Sequence, residues 1–149
     1  MNTLQFADNV TMTELNPHNF ALKNDYISNL ISTALKVVPY ANSMFGSHNI
    51  KVKRGFLSRS YIQEELLNTT NTNISDLYKH AEGLGITISW INFDSDSAIA
   101  LCNEVAIANA TENIKMVISN QSVTFTFDNE KTEIGEVTKD GYRIVKVYK

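Results

Sequence analysis

Apolar and polar positions alternate with two different periods along this chain, and the clearest runs follow one another between residues 85 and 127. Over residues 86–93, Ile86, Ile88 and Trp90 interleave with Thr87 and Ser89, after which Ile91 and Phe93 continue the apolar trend. Such β-branched and aromatic enrichment predicts a strand, buried on one face throughout and on the second near its end. Over residues 97–110, Ala98, Ile99, Leu101, Cys102, Val105, Ala106 and Ala108 cover more than one helical stripe, which predicts a helix enclosed on most sides. Residues 114–118 and 122–127 predict two further strands, joined at Asn120 and Gln121, where Asn tolerates the backbone angles of a tight turn. The expected unit is β-α-β with an antiparallel extension, its crossover right-handed.

Upstream, Asn16 followed by Pro17 is a helix-start pattern, and Phe20, Tyr26, Ile27, Leu30, Ile31, Ala34 and Leu35 then recur at three- and four-residue spacing. This predicts a long amphipathic helix that Pro39 ends, a loop over residues 40–49, and a short strand over 50–53 with one wet face. Ser60 with Gln63 and Asn73 with Asp76 read as capping boxes of two short helices, the second ended by Gly83. Asp140-Gly141 between residues 133–138 and 142–148 is a hairpin signal. The expected fold class is α+β: a mixed or antiparallel sheet with a long N-terminal amphipathic helix and a buried central helix packed on it, closed by a C-terminal β-hairpin.

Length changes the picture little, since 149 residues suit one core and lead us to expect a single domain over 1–149. A composition of 43% hydrophobic and 19% charged residues is that of a folded chain rather than a disordered one. The single cysteine, Cys102, excludes an internal disulfide and sits in the most apolar helical segment, so it reads as a small buried hydrophobe. A net charge of -3 argues against a general polyanion-binding surface but not against a local basic patch. The N-terminus has neither the basic flank nor the apolar run of a signal peptide, and no segment has membrane-spanning length, so a cytoplasmic protein is expected. Its Asn-rich composition fits an AT-rich genome such as many phages carry.

Candidate chemistry starts with Asp94 and Asp96, placed directly after the apolar strand. Two carboxylates there could hold a divalent cation beside a phosphate, or one of them could cap the helix that follows. Haloacid-dehalogenase phosphatases also place Asp-x-Asp after a strand, but Ala98 stands where they carry Thr or Val, and the chain is not assigned to them. The only basic cluster holds Lys51, Lys53, Arg54 and Arg59, with Phe56 and Tyr61 nearby, a combination that can meet phosphates and bases. The two short helices after it lack the three- or four-residue turn of a helix-turn-helix. His18, His48 and His80 lie far apart without ligand spacing, and no nucleophile elbow or phosphate-cradling glycine loop is present.

By elimination, the expected function is that of a small non-catalytic accessory protein that binds and modulates a larger protein partner, such as a phage-encoded inhibitor of a host function. Its contact surface is expected at Tyr40, Met44 and Phe45 of the loop and at Lys51, Lys53, Arg54, Phe56 and Arg59. The alternatives are a nucleic-acid binder using residues 51–59 and a metal-dependent phosphoesterase using Asp94 and Asp96. No cofactor and no membrane partner are expected, and the oligomeric state stays open.

Overall fold

The computed structural model describes residues 5–7, 10–66 and 74–148. Its elements, in chain order, are β1 (Gln5–Ala7), β2 (Val10–Thr11), α1 (Met12–Leu15), α2 (Asn24–Phe45), β3 (Ile50–Arg54), α3 (Arg59–Tyr61), α4 (Ile74–His80), β4 (Gly85–Trp90), α5 (Ser95–Ala108), β5 (Lys115–Ile118), β6 (Val123–Thr126), β7 (Thr132–Thr138) and β8 (Gly141–Tyr148). The fold is α+β. Six strands form one mixed sheet in the order β3-β4-β6-β5-β7-β8, in which β5 and β7 are the one pair of neighbours among the described strands that runs parallel. β1 and β2 pair separately.

Alternation divides this sheet into two unlike faces. Ile86, Ile88 and Trp90 of β4, Val123 and Phe125 of β6, Met116 and Ile118 of β5 and Ile134 of β7 belong to one core. Against them pack Leu30, Ala34, Val37 and Ala41 of α2 and Ala98, Leu101, Cys102 and Val105 of α5. The opposite face carries Thr87, Ser89, Thr124, Lys115, Val117, Gly135 and Val137, in matched register across the strands. Thr87 and Ser89 are also largely shielded, so β4 exposes little surface on either side. Their hydroxyls are satisfied, Thr87 Oγ1 by Thr124 Oγ1 at 2.7 Å and Ser89 by donating to the Gln121 carbonyl at 2.5 Å. The apolar residues beyond Trp90 are not buried strand: the chain turns at Asn92, with φ of 62°, and Ile91 is 63% exposed.

Several boundaries differ from the sequence expectation, each for a local reason. The long helix starts at Asn24 rather than beside Pro17, because the Asn16 side chain bonds the Phe20 backbone twice, at 2.9 and 3.1 Å, and closes a turn instead of opening a helix. It then runs through Pro39 to Phe45, so Tyr40, Met44 and Phe45 are helical and not in a loop. Pro39 and Leu35 both lie on the exposed side, where water can satisfy the Leu35 carbonyl that loses its partner. Ser58, not Ser60, caps α3 by accepting the Tyr61 N–H at 3.1 Å, and the helix continues as a π-turn over Ile62–Leu66. The Asn73 cap falls outside the described residues. The β4-α5-β5 unit is present, but β6 enters between its two strands, so β4 and β5 are parallel without touching.

A second, smaller cluster of Leu57, Ile62, Leu77 and Ala81 gathers under α3 and α4. Beside it His80 is wholly buried, its Nδ1–H donating to the Gly55 carbonyl at 2.8 Å. Its Nε2 is buried without a hydrogen-bond partner among the described residues. Burial, reinforced by nearby Arg54 and opposed by the Gly55 bond, brings its pKa down to about 4. The ring is therefore neutral in the fold, while in the unfolded chain it titrates near its ordinary 6.5. As pH falls the unfolded state takes the proton first, so stability present above about 6.5 is lost down to about 4, by roughly 3 kcal/mol at most. We expect the urea midpoint to drop across this window and His80→Gln, which can still donate to Gly55, to flatten the drop. Identical pH profiles for the two proteins would contradict this role.

Candidate functional site: an open groove and a free sheet edge

The polar face of the sheet leaves a groove of about 810 Å³. Thr87, Thr124 and Val117 line it from the central strands, Arg54 and Lys53 from β3, and Val137, Lys139 and Tyr142 from the last hairpin. The register of β3 on β4 shifts between Val52 and Arg54, an irregularity that sets Arg54 opposite Thr87. Arg54 is half-buried, and that burial holds its guanidinium below the ordinary value, with Tyr61 acting in the opposite sense. Among the described residues, no carboxylate lies within ion-pair distance of it. Lys115, by contrast, is matched by the nearly buried Asp76 at 3.0 Å.

Tyr142 closes the hairpin side of the groove. Its ring lies across Gly135, where an added Cβ would collide with the phenol, and its hydroxyl donates to the buried Glu133 at 2.5 Å. Desolvation of the hydroxyl end, then the Glu133 bond and the Glu133 and Asp76 charges, push the phenol pKa up. Glycine here is a requirement of close approach rather than of backbone angle.

The two edges of the sheet are unlike. β3 spans five residues, is irregular, and presents Lys51 and Lys53, charges that discourage another strand from pairing. β8 spans eight residues, and Tyr142, Ile144, Val145 and Val147 are all exposed, Ile144 by 54%. Arg143 and Lys146 project from the α5 side of β8, where Arg143 reaches Glu136 at 2.6 Å and Lys146 reaches Asn103 at 3.4 Å. Ser95 of α5 also donates to Glu136 at 2.6 Å, and these bonds hold that carboxyl below the usual range.

The sequence candidates disperse across this structure. Asp94 caps α5, its Oδ1 accepting the Ser97 N–H at 2.7 Å while Ser97 Oγ accepts the Asp94 N–H at 3.3 Å, and the Ser97 backbone and side-chain bonds to its carboxylate lower its pKa. Asp96 lies exposed in the first turn of the same helix. Among the described residues, no three His, Cys, Asp or Glu side chains come together as a metal site would need. Phe45 stacks on Trp90 at 4.2 Å between ring centroids, and Tyr40 packs partly against the core, leaving Met44 as the exposed member of that trio. Phe56 is buried beside Phe20 and Tyr26, so it offers no contact surface. Lys53 and Arg54 do converge on the groove, whereas Lys51 is not in its lining and Arg59 stands over the Tyr78 ring at 4.9 Å. Sequence reasoning missed Lys115, Lys139, Tyr142 and the Thr87/Thr124 pair; the signal was there in the polar positions of the alternating strands. Cys102 is buried, and desolvation raises its thiol pKa, so it is not a reactive thiolate.

No protein-family model, curated protein or solved structure matches the chain significantly. No helix among the described residues is long and apolar enough to cross a membrane.

Gly135→Ala should push Tyr142 off the sheet and break its bond to Glu133. We expect the Tyr142 phenol to titrate closer to the ordinary value of 10 and the protein to lose about 1 kcal/mol, the cost of a buried carboxylate deprived of a donor. Spectrophotometric titration of tyrosine, with Tyr142→Phe to identify the signal, would show an unmoved phenol if this packing were incidental.

Proposed function

We propose that this chain is a non-catalytic binding protein that captures an extended segment of a larger cytoplasmic partner by adding it as a strand beside β8, and modulates that partner by doing so. The observation that carries this reading is the edge itself, an eight-residue strand that no further strand among the described residues pairs with and whose apolar side chains Tyr142, Ile144, Val145 and Val147 remain exposed. Backbone bonds supply affinity in such strand addition, and alternating side chains supply selectivity. On the α5 side the incoming strand would meet Arg143 and Lys146, and on the groove side Tyr142, Ile144 and Val147. Opposite charges across neighbouring strands are favourable, so the preferred segment alternates acidic with apolar residues. A second copy of β8 paired antiparallel on the same residues would instead set Arg143 against Lys146, which is unfavourable.

Selection from a random peptide display library tests this directly. We expect enriched sequences to alternate Asp or Glu with Ile, Val, Tyr or Phe. A double variant, Ile144→Glu with Val147→Glu, alters exposed positions and should keep the fold while weakening the selected peptides by about a hundredfold, as carboxylates desolvated against the apolar residues of the segment do. Enrichment of basic sequences, or equal binding to the double variant, would overturn the proposal.

A further inference from the structure

The groove on the polar face places cations where nothing in the described chain neutralises them. Arg54 is half-buried without a carboxylate partner among the described residues, and Lys53 and Lys139 stand on the rim equally unpaired. Withdrawing a guanidinium from water costs free energy that a counter-ion would recover. On the floor, Thr87 and Thr124 share one hydrogen bond at 2.7 Å, so one of the two hydroxyl hydrogens remains free to donate elsewhere. Cationic forks together with hydroxyl donors are the chemistry that receives an anion of several oxygens.

We infer that this groove is a binding site for a phosphate-bearing small molecule, its phosphate held by Arg54 and Lys53 above the Thr87 and Thr124 hydroxyls, with Lys139 facing the rest of the molecule from the opposite rim. A carboxylate offers one charge and two oxygens, whereas a phosphate matches the half-buried Arg54 guanidinium, the neighbouring Lys53 and the hydroxyl floor more fully. A cavity of about 810 Å³ has the size of a small-molecule site. A continuous polyanion fits less well. Asp76 beside Lys115 and Glu133 beneath Tyr142 put carboxylates at the hairpin side, where a nucleic-acid backbone would be repelled, and Lys51 and Arg59 lie outside the lining. The inference does not depend on what pairs with β8.

Inorganic pyrophosphate is the probe, added to the full chain and followed by backbone amide NMR, with citrate and a single-stranded oligonucleotide as comparators. Saturable shifts centred on Thr87, Thr124 and residues 115–122 are expected, weakening as salt is raised. Arg54→Gln should weaken binding by about tenfold or more, which is the loss of one charge-assisted bidentate contact. Should that variant fold poorly, the double variant Lys53→Gln with Lys139→Gln alters only exposed rim positions and should weaken binding to a similar degree. The inference is overturned by absence of saturable pyrophosphate binding, by citrate binding as tightly, by unchanged affinity in the variants, or by binding of the oligonucleotide alone.

Discussion

Burial of one sheet face against α2 and α5 is the constraint from which the other features of this protein follow. Ile86, Ile88, Phe125, Met116 and Ile134 must all point the same way, and a shift of one residue in any strand would exchange them for Thr87, Thr124, Lys115 and Gly135. Apolar burial contributes roughly 25 cal/mol per Å², so the register is strongly specified and the opposite face is left to polar residues. Because two helices lie on one side of the sheet, the groove on the other side stays open between β3, α4 and the last hairpin.

The edges follow from the same arrangement. Insertion of β6 between β4 and β5 makes the sheet antiparallel at its centre, and the parallel pairing of β7 on β5 then leaves β8 as the outermost strand. Ring contacts steady the core margin, where Trp90 is held between Phe45 and Phe93 and donates to Ser97 at 3.1 Å. Near the other edge, Gly55 lets the chain pass close to Leu15, whose carbonyl accepts the Phe56 N–H at 2.7 Å, while the Gly55 carbonyl anchors His80. The cationic side chain of Arg54 and the neutral ring of His80 are thus products of one tightly packed corner.

Strands β4, β5 and β6, helix α5 and the last hairpin were legible in the sequence because each carries its period over an uninterrupted run. Helix α2 was legible in its middle and misread at both ends. Asn16 and Pro17 form a turn through side-chain bonds, and Pro39 is tolerated on a wet face, neither of which periodicity reports. Separate runs could not show that β6 inserts between β4 and β5, since strand order depends on pairing across long separations. The groove was hidden for the same reason. Lys53 and Arg54 were visible as a basic run, but Lys115 and Lys139 come from distant segments that only the sheet register brings near them. Phe56 and Phe45, offered as surface anchors, proved to be packing residues because neighbouring rings reach them in space.

Hydrogen exchange of the backbone amides of the free protein tests the central claim, that β8 is an uncovered edge beside a closed core. The account predicts strong protection throughout β4 and β6, and exchange near unfolded-chain rates for those β8 amides that do not pair with β7, independent of protein concentration. Protection along the whole of β8, rising with concentration, would show that a second copy already covers this edge and would contradict the account.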